Sequence, residues 1–340
     1  MSGSLAASAL SPRSGHRSWS ARSRAALGWV VLAALAVALA WAVDWRRALA
    51  VAAGTHQLWL LVAVALNGSI LALATLQWRL LLPVGARVRA RALFEIVALT
   101  TSVSNGGPML AGHATGIHLL ATRGSLGPAG GVSVTILDQL AEGMAKLALL
   151  AAALLVVPRF GLPAAGATLA LAMPALALGL WWLARRAEQP STTPTADTGR
   201  GAVARFLADT IARLDALRTP RRFAAAVALA VLQKAAEGLA IAAVAAALGV
   251  ALPAWAALAA LAAVNFSQFV AVTPANVGGY EGAAFLVFRA AGVDPGAALA
   301  LAVVQHVAYL LPLAGTGWVI EGARLLRGRP AAASEEVPGA

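Results

Sequence analysis

The sequence contains no cysteine and few charged side chains. Without thiols the chain has no disulfide, no thiolate nucleophile and no Cys-ligated metal site. Charged residues make up 12% of the chain against 60% hydrophobic residues, and the mean hydropathy is +0.78. Several apolar runs approach or exceed the roughly 20 residues that cross a bilayer. This balance excludes an ordinary water-soluble fold and predicts an all-α polytopic membrane protein.

Acidic residues are scarce as well, because 14 Asp and Glu stand against 26 Lys and Arg, for a net charge of +12. A strongly basic chain is typical of nucleic-acid binding. Here, however, the arginines fall in short segments between apolar runs, where the cytoplasmic loops of membrane proteins carry them. We therefore attribute the charge to membrane orientation and expect no nucleic-acid partner.

Apolar runs predict six full crossings, at about 25–43, 58–82, 128–157, 162–184, 222–247 and 296–322. The first run follows a Ser/Arg-rich segment, as in a signal peptide, but its length exceeds the roughly 7–15 residues of a signal core. We expect an uncleaved span between disordered cytoplasmic tails at 1–24 and 326–340, with the membrane domain at 25–325. The tryptophans mostly lie near span ends, as an aromatic belt requires: Trp29, Trp41, Trp59, Trp78, Trp181, Trp182, Trp255 and Trp318.

Two further apolar stretches, about 92–122 and 254–290, are interrupted by glycine and proline. The interruptions are Asn105-Gly106-Gly107-Pro108-Met109-Leu110-Ala111-Gly112-His113 and Pro274-Ala275-Asn276-Val277-Gly278-Gly279-Tyr280-Glu281. A backbone break at membrane depth is tolerated only where it lines a cavity or is buried in protein. Both stretches therefore predict re-entrant helical hairpins. We expect the backbone of the working site at Asn105, Pro108, Gly112, Pro274, Gly278 and Gly279.

The arginines also predict which face is cytoplasmic. If each hairpin returns to its side of entry, one face collects Arg13, Arg17, Arg22, Arg24, Arg87, Arg89, Arg91, the arginines of 185–222, Arg324, Arg327 and Arg329. The other face collects Arg46, Arg47 and Arg159. The positive-inside rule then predicts a multi-pass protein of the cell (inner) membrane with both termini in the cytoplasm.

A single cysteine introduced at Ser191 or Ser334 tests this orientation, because the native chain has none. We expect an impermeant thiol reagent to leave both positions unlabelled in intact cells and to label both after lysis. Labelling of either position in intact cells contradicts the predicted topology.

The segment 185–222 divides the membrane part into two matching halves. It ends with apolar residues at helical spacing, Val203, Phe206, Leu207, Ile211, Leu214 and Leu217, which predict an amphipathic helix on the cytoplasmic surface. The first repeat spans about 58–157 and the second about 222–322, each with a span, a hairpin and a span. Because the first begins outside and the second inside, the predicted repeat is inverted, as in transporters with a midplane site and alternating access.

Five charged residues lie well inside predicted spans, away from the span ends. Asp138, Glu142 and Lys146 are spaced four apart on one helix face, and Lys234 and Glu237 share a face of another helix. Intramembrane charges are costly and normally face a partner or a wet cavity, so we predict that the two faces meet inside the bundle. The pattern leaves two roles open: a salt-bridge network that only holds the halves together, and a substrate or proton pathway.

Three more titratable residues lie on or opposite the hairpins. Glu281 follows Gly278-Gly279, where a half-helix can begin, and is either a carboxylate that stabilises the helix start or a headgroup or proton ligand. His113 holds the equivalent position in the first hairpin, and His306 falls opposite Asp138 in the repeat alignment. Either imidazole titrates near neutrality, although a histidine on an apolar helix is more often a packing residue. Polar helix packing explains most amides at similar depth: Asn67, Asn105, Asn265, Gln268 and Gln305.

Taken together, these motifs resemble the transmembrane region of lysylphosphatidylglycerol synthases and the stand-alone proteins grouped with it. The resemblance covers about 27–325 and rests on Asn105, Pro108 to Gly112, Arg123-Gly124, Leu137-Asp138-Gln139-Leu140, Pro274, Gly278-Gly279, Glu281, Gly292 and Pro312. In bifunctional family members this region looks like a lipid flippase joined to a soluble aminoacyl-transferase domain. We expect a stand-alone member, for which the resemblance does not imply aminoacyl transfer.

The leading hypothesis is therefore a non-enzymatic carrier that moves a phospholipid or a polyprenyl-linked glycolipid between leaflets. The membrane lipid or lipid-linked sugar is its substrate, a glycosyltransferase or lipid-modifying enzyme is a candidate partner, and we expect no cofactor and no metal. One alternative is a multi-span glycosyltransferase that uses a lipid-linked donor, although the sequence has no paired-acid loop at the outer surface. Another is an accessory subunit in which the charges are assembly contacts.

Overall fold

The computed structural model describes residues 56–107, 109–157, 202–268 and 273–326, together with the isolated positions 168, 175, 178, 179 and 182. Within these segments the chain is helical, with short turns and no strand. The helices are α1 (Gln57–Leu81), α2 (Ala90–Gly106), α3 (Met109–Thr122), α4 (Gly127–Val156), α5 (Ala202–Ala212), α6 (Asp215–Arg218), α7 (Pro220–Ala247), α8 (Ala254–Ser267), α9 (Gly279–Ala290) and α10 (Pro295–Leu326). A short 3₁₀ turn, Pro274–Asn276, lies between α8 and α9.

Four of these helices, α1, α4, α7 and α10, are long and apolar enough to cross a membrane. Each agrees with a predicted crossing within a few residues, so the prediction of an all-helical membrane protein is confirmed for this part of the chain. The predicted crossings at 25–43 and 162–184 and the N-terminal tail lie outside the described residues, apart from isolated positions in the second. The last helix is longer than predicted, because α10 continues to Leu326.

The two interrupted stretches each form a pair of short helices. They contain 17 and 14 residues in α2 and α3, and 14 and 12 in α8 and α9. At about 1.5 Å per residue each helix measures roughly 18–26 Å, which is shorter than the ~30 Å hydrocarbon core. Within each pair the helices pack against each other. The predicted breaks therefore occur, and they divide both stretches into helices too short to cross a bilayer.

The first helices of the two halves, α1 and α7, run antiparallel along each other. The His56 N–H donates to the Ala247 carbonyl at 3.1 Å, which joins the start of α1 to the end of α7. At the other end, the Arg222 guanidinium donates to the Leu80 and Leu82 carbonyls at 2.9 and 3.1 Å. The helices of the two halves thus begin at opposite ends of the bundle.

Small residues allow α10 to lie close against α2. The Ser102 hydroxyl donates to the Leu313 carbonyl at 3.1 Å and accepts from the Gly317 N–H at 3.0 Å. In an undisturbed helix the Gly317 N–H donates directly to the Leu313 carbonyl, whereas here the Ser102 hydroxyl is inserted between the two groups. A Cβ atom at Gly317 would lie 2.6 Å from the Ala98 carbonyl oxygen, so glycine is required at this contact.

Charged residues join the same two helices at the end of the bundle. Arg324 of α10 pairs with Glu95 of α2, and also with Glu321 at 3.4 Å. Arg123, in the turn after α3, lies 3.8 Å from Glu321. Arg324 entered the topology prediction only through its charge, whereas in the structure it ties α10 to α2.

The predicted amphipathic helix before α7 is divided in two, because α5 ends at Ala212 and α6 begins at Asp215. The division reorients the chain so that Leu217 is buried against α7, while Val203, Phe206 and Ile211 of α5 remain exposed. The predicted short amphipathic helix thus corresponds to α5, and Leu214 and Leu217 lie beyond its end. Its expected position on the membrane surface stays a prediction, which the exposed apolar side chains of α5 favour.

Candidate functional site

A cavity of about 460 Å³ lies between the two halves of the chain. Residues from α1 to α4 line one side, and residues from α7, the 273–276 turn, α9 and α10 line the other. Glu142, Lys234 and Tyr309 lie near the middle of their helices, so the cavity is central along the bundle. Its polar and charged lining consists largely of Gln77, Thr100, Thr101, Ser104, Asn105, His113, Asp138, Gln139, Glu142, Lys146, Gln233, Lys234, Gln268, Thr273, Asn276, Tyr280, His306 and Tyr309.

Asp138 is held on the cavity wall by two donors from α1. Its Oδ1 accepts from Gln77 Nε2 at 2.8 Å and from Trp78 Nε1 at 2.9 Å. The Gln77 Oε1 in turn accepts from Gln233 Nε2 at 2.7 Å. A continuous chain of hydrogen bonds therefore links α4, α1 and α7 along the cavity wall.

The contacts of Gln77 and Trp78 were not predicted from their positions in the sequence. Gln77 is an amide within an apolar span, which was a usable signal, but its partners lie on two other helices. Trp78 was expected in an aromatic belt near the bilayer surface, yet its side chain is buried and its indole N–H binds Asp138. For Trp78 the belt prediction is wrong, because a buried indole N–H is placed by its hydrogen-bond acceptor.

The intramembrane charges form ion pairs along their own helices. Lys146 Nζ lies 2.8 Å from Glu142 Oε1 on α4, and Lys234 Nζ lies 3.1 Å from Glu237 Oε2 on α7. Glu142 and Lys234 both line the cavity and interact electrostatically across it. Charged residues of α4 and α7 thus line the same cavity. Each of the two ion pairs, however, joins residues of a single helix and does not connect the two helices.

Glu281 stabilises the start of α9 and also contacts a histidine, while its role as a headgroup or proton ligand stays a prediction. Its Oε2 accepts from the Gly278 N–H at 2.7 Å and stabilises the start of α9, while its Oε1 lies 2.7 Å from His306 Nδ1. The His306 ring stacks on Tyr280, with ring centroids 4.1 Å apart and the rings within 8° of parallel. An acid of the second hairpin is therefore joined to a base of α10 that lines the cavity.

The turn before α9 has an unusual backbone. Ala275, Asn276 and Gly278 have φ values of 55°, 54° and 85°, in the left-handed region that side chains rarely adopt. Thr273 Oγ1 donates to the Val277 carbonyl at 2.6 Å, and Asn276 Nδ2 donates to Ser267 Oγ at 2.8 Å. This conformation turns the chain sharply at the cavity. It includes the 3₁₀ turn that begins at Pro274, one of the residues predicted to form the backbone of the site.

At Gly112 and Gly279 glycine is needed because a neighbouring residue lies where a Cβ atom would be, and not because the backbone has a positive φ. A Cβ atom at Gly112 would overlap Ser104 and lie 2.7 Å from its Cα, which shows how closely α3 passes α2. A Cβ atom at Gly279 would overlap the Asn276 side chain.

Two other predicted residues of the first hairpin, Asn105 and His113, line the cavity. Asn105 Nδ2 donates to the Thr101 carbonyl at 2.9 Å. Pro108 lies outside the described residues. The first hairpin therefore contributes an amide and an imidazole to the site.

A family model described as the lysylphosphatidylglycerol synthase TM region matches residues 26–317, which include every cavity residue. No curated protein matches the chain.

Proposed function

Since the chain belongs to the lysylphosphatidylglycerol synthase transmembrane-region family and is an integral membrane protein, we propose that it is a lipid transporter. It moves an amphiphilic lipid, either a phospholipid or a polyprenyl-linked glycolipid, between the leaflets of the cell membrane. The observation that carries the proposal is the central cavity, which residues of both halves line. Its charged side chains suit a polar headgroup, while the acyl or prenyl chain stays in the bilayer.

The two halves act as an inverted repeat, with the α2–α3 and α8–α9 pairs as re-entrant hairpins. The antiparallel arrangement of α1 and α7 supports this, because equivalent helices of inverted units run in opposite directions. The packing supports it too, because equivalent helices make equivalent contacts with the other half. In the first half α1 and α2 both contact α10, and in the second half their counterparts α7 and α8 both contact α4, the counterpart of α10. Such a repeat provides alternating access to a site between the halves.

Equivalent positions in the two halves carry the same chemistry with acid and base exchanged. Glu281 and His306 are joined in the second half. Their counterparts in the first half are His113 and Asp138, where Asp138 is bound instead by Gln77 and Trp78. In the proposed mechanism the Glu281–His306 contact and a His113–Asp138 contact form alternately, as the two halves exchange conformations. Each closure exposes the headgroup site to the opposite leaflet.

The cavity entrance offers a direct test of transport. Leu110 of the first hairpin and Thr273 of the second are both exposed and both line the cavity. We expect a cleavable thiol-reactive crosslinker, such as a bis-methanethiosulfonate, that joins cysteines at these two positions to stop movement of fluorescent phospholipid or polyprenyl lipid in reconstituted vesicles. Cleavage of the linker should restore transport, because it frees the entrance.

The single-cysteine variants Leu110→Cys and Thr273→Cys, treated with the same reagent, are the matched controls and should keep most of their transport. Transport that persists after complete crosslinking excludes this cavity as the lipid pathway. A wild-type protein that moves neither class of lipid contradicts the proposed function itself.

A further inference from the structure

A second group of polar side chains lies behind the cavity wall, where α1, α7 and α10 meet. It consists of Asn67, Glu237, Tyr280 and Gln305, which we call the polar layer. Each of these residues is 1% exposed or less. Asn67, Glu237 and Gln305 do not line the cavity, whereas Tyr280 lines it and reaches into the layer. The polar layer is therefore separate from the headgroup site but adjoins it.

The helix register places these residues at one depth. On one side of them lies a buried apolar cluster of Ile70, Ala236, Tyr309 and Leu313. On the other side lie Ala63, Ala240, Leu301 and Ala302 of a larger cluster. Asn67 lies one helical turn from Ile70 of the first cluster and from Ala63 of the second. Gln305 lies one turn from Tyr309 and from Leu301. Glu237 follows Ala236 of the first cluster and precedes Ala240 of the second, so all three residues lie between the two clusters. The Tyr280 hydroxyl lies close to the Gln305 and Glu237 side chains, although it makes no hydrogen bond of acceptable geometry with either of them.

Most polar atoms of the layer have no hydrogen-bond partner among the described residues. These atoms are Asn67 Oδ1 and Nδ2, Glu237 Oε1, the Tyr280 hydroxyl, and Gln305 Oε1 and Nε2. The other Glu237 oxygen is bound by Lys234. Because buried polar groups in proteins are nearly always partnered, the layer requires a small polar occupant. Four of the six atoms are oxygens, so the layer is richer in acceptors than in donors.

The charges around the site favour a cation as that occupant. Glu142 pairs with Lys146 and Glu237 pairs with Lys234. Asp138 is bound by the neutral Gln77 and Trp78 side chains and Glu281 by His306, so two of these four carboxylates have no ammonium partner among the described contacts. An excess of negative charge at membrane depth is costly. Amide, hydroxyl and carboxylate oxygens are the ligands that hard cations take in proteins.

We propose that the polar layer binds a sodium ion through the side-chain oxygens of Asn67, Glu237, Tyr280 and Gln305. Alanines above and below the layer bring the helices close together, which suits a small dehydrated cation rather than K⁺. Tyr280 belongs to both the layer and the cavity wall, and Lys234 of the cavity wall pairs with Glu237 of the layer, so occupancy of the layer acts directly on the headgroup site. Use of the ion to drive transport rests on the proposed function, whereas the binding does not.

Thermal unfolding of the purified protein in detergent tests the binding without any lipid assay. Melting is compared in NaCl, KCl and choline chloride at equal ionic strength. A ligand that binds only the folded state raises the melting temperature, by about 2 °C for a chain of this size when its concentration is roughly tenfold above Kd. We expect this rise with NaCl alone.

Asn67→Leu and Glu237→Gln should abolish the Na⁺-specific rise, because each removes a ligand oxygen or its charge. Gln233→Leu, which removes an amide from the cavity side of the same α7, should keep it. Where Glu237→Gln does not fold, because Lys234 is left unpaired, Asn67→Leu decides the question.

Equal melting in all three salts, or a Na⁺ rise that survives in both Asn67→Leu and Glu237→Gln, overturns the proposal and leaves bound water as the occupant. A Na⁺-specific rise in a protein that moves no lipid supports the ion site and contradicts only the proposed transport. Lipid movement without any Na⁺ rise overturns the ion site alone.

Discussion

Replacement of Lys234 by methionine should destabilise the folded protein by about 3–5 kcal/mol, the usual cost of leaving a buried charge without its partner. The reason is the position of Glu237, whose side chain is only 2% exposed and whose Oε2 lies 3.1 Å from Lys234 Nζ. The measurement is the melting temperature or the denaturant midpoint in detergent, in buffer without sodium. Glu237 would then be an isolated carboxylate in the protein interior.

The double variant Lys234→Met/Glu237→Gln should recover most of the lost stability, because it removes the stranded charge and keeps the volume. Arg218→Met is the matched control: Arg218 and Asp215 have the same i,i+3 spacing, but their side chains are 28% and 23% exposed. Loss of a partly solvated pair should cost less than about 1 kcal/mol. If the double variant is as unstable as Lys234→Met alone, the Lys234–Glu237 pair is not what stabilises this part of α7.

Glu281→Gln should leave the fold intact and remove the pH dependence of lipid transport. The amide can still accept from the Gly278 N–H and start α9, but it cannot exchange a proton with His306. Coupling between two binding events typically changes affinity by roughly 5–150-fold, so a pH-dependent change in lipid affinity of about that size should be lost in the variant, and the pH dependence of transport with it. Transport of fluorescent lipid across a pH series, beside a melting curve, gives both results.

Asp294→Asn is the matched control for this experiment. Asp294 is also a carboxylate at a helix start, where its Oδ2 accepts from the Gly296 N–H at 2.9 Å, but it is exposed. Its amide variant should keep the native rate and pH profile. A Glu281→Gln protein with native rate and native pH profile would reduce Glu281 to a residue that only stabilises the start of α9.

The local breaks in the fold were readable from the sequence because their causes are local. α2 ends at Gly106 and is followed by Gly107, and left-handed backbone occurs at Ala275, Asn276 and Gly278, where short side chains and glycine stand. The interruption of the linker helix at Arg213 and Leu214 was not readable. It depends on the burial of Leu217 against α7, a contact between residues of separate helices.

The site was only partly readable for a similar reason. The i,i+4 and i,i+3 spacings correctly placed Asp138, Glu142, Lys146 and Lys234 around one interior space. They did not reveal that Gln77 and Trp78 bind Asp138, or that Glu281 binds His306, because these partners are 25 to 61 residues apart in the chain. No periodic pattern connects residues at such separations.

The sequence by itself determined the class of protein, the positions of the long helices and the places where helices break. Hydrophobic length and backbone chemistry act on each segment independently of its neighbours. Only the tertiary structure decided which polar groups satisfy one another and which remain unpartnered. A buried charge or amide in an apolar helix requires a partner, but the identity of that partner depends on how α1, α4, α7 and α10 pack. For this reason the cavity and the polar layer behind it emerge only once the helices are assembled.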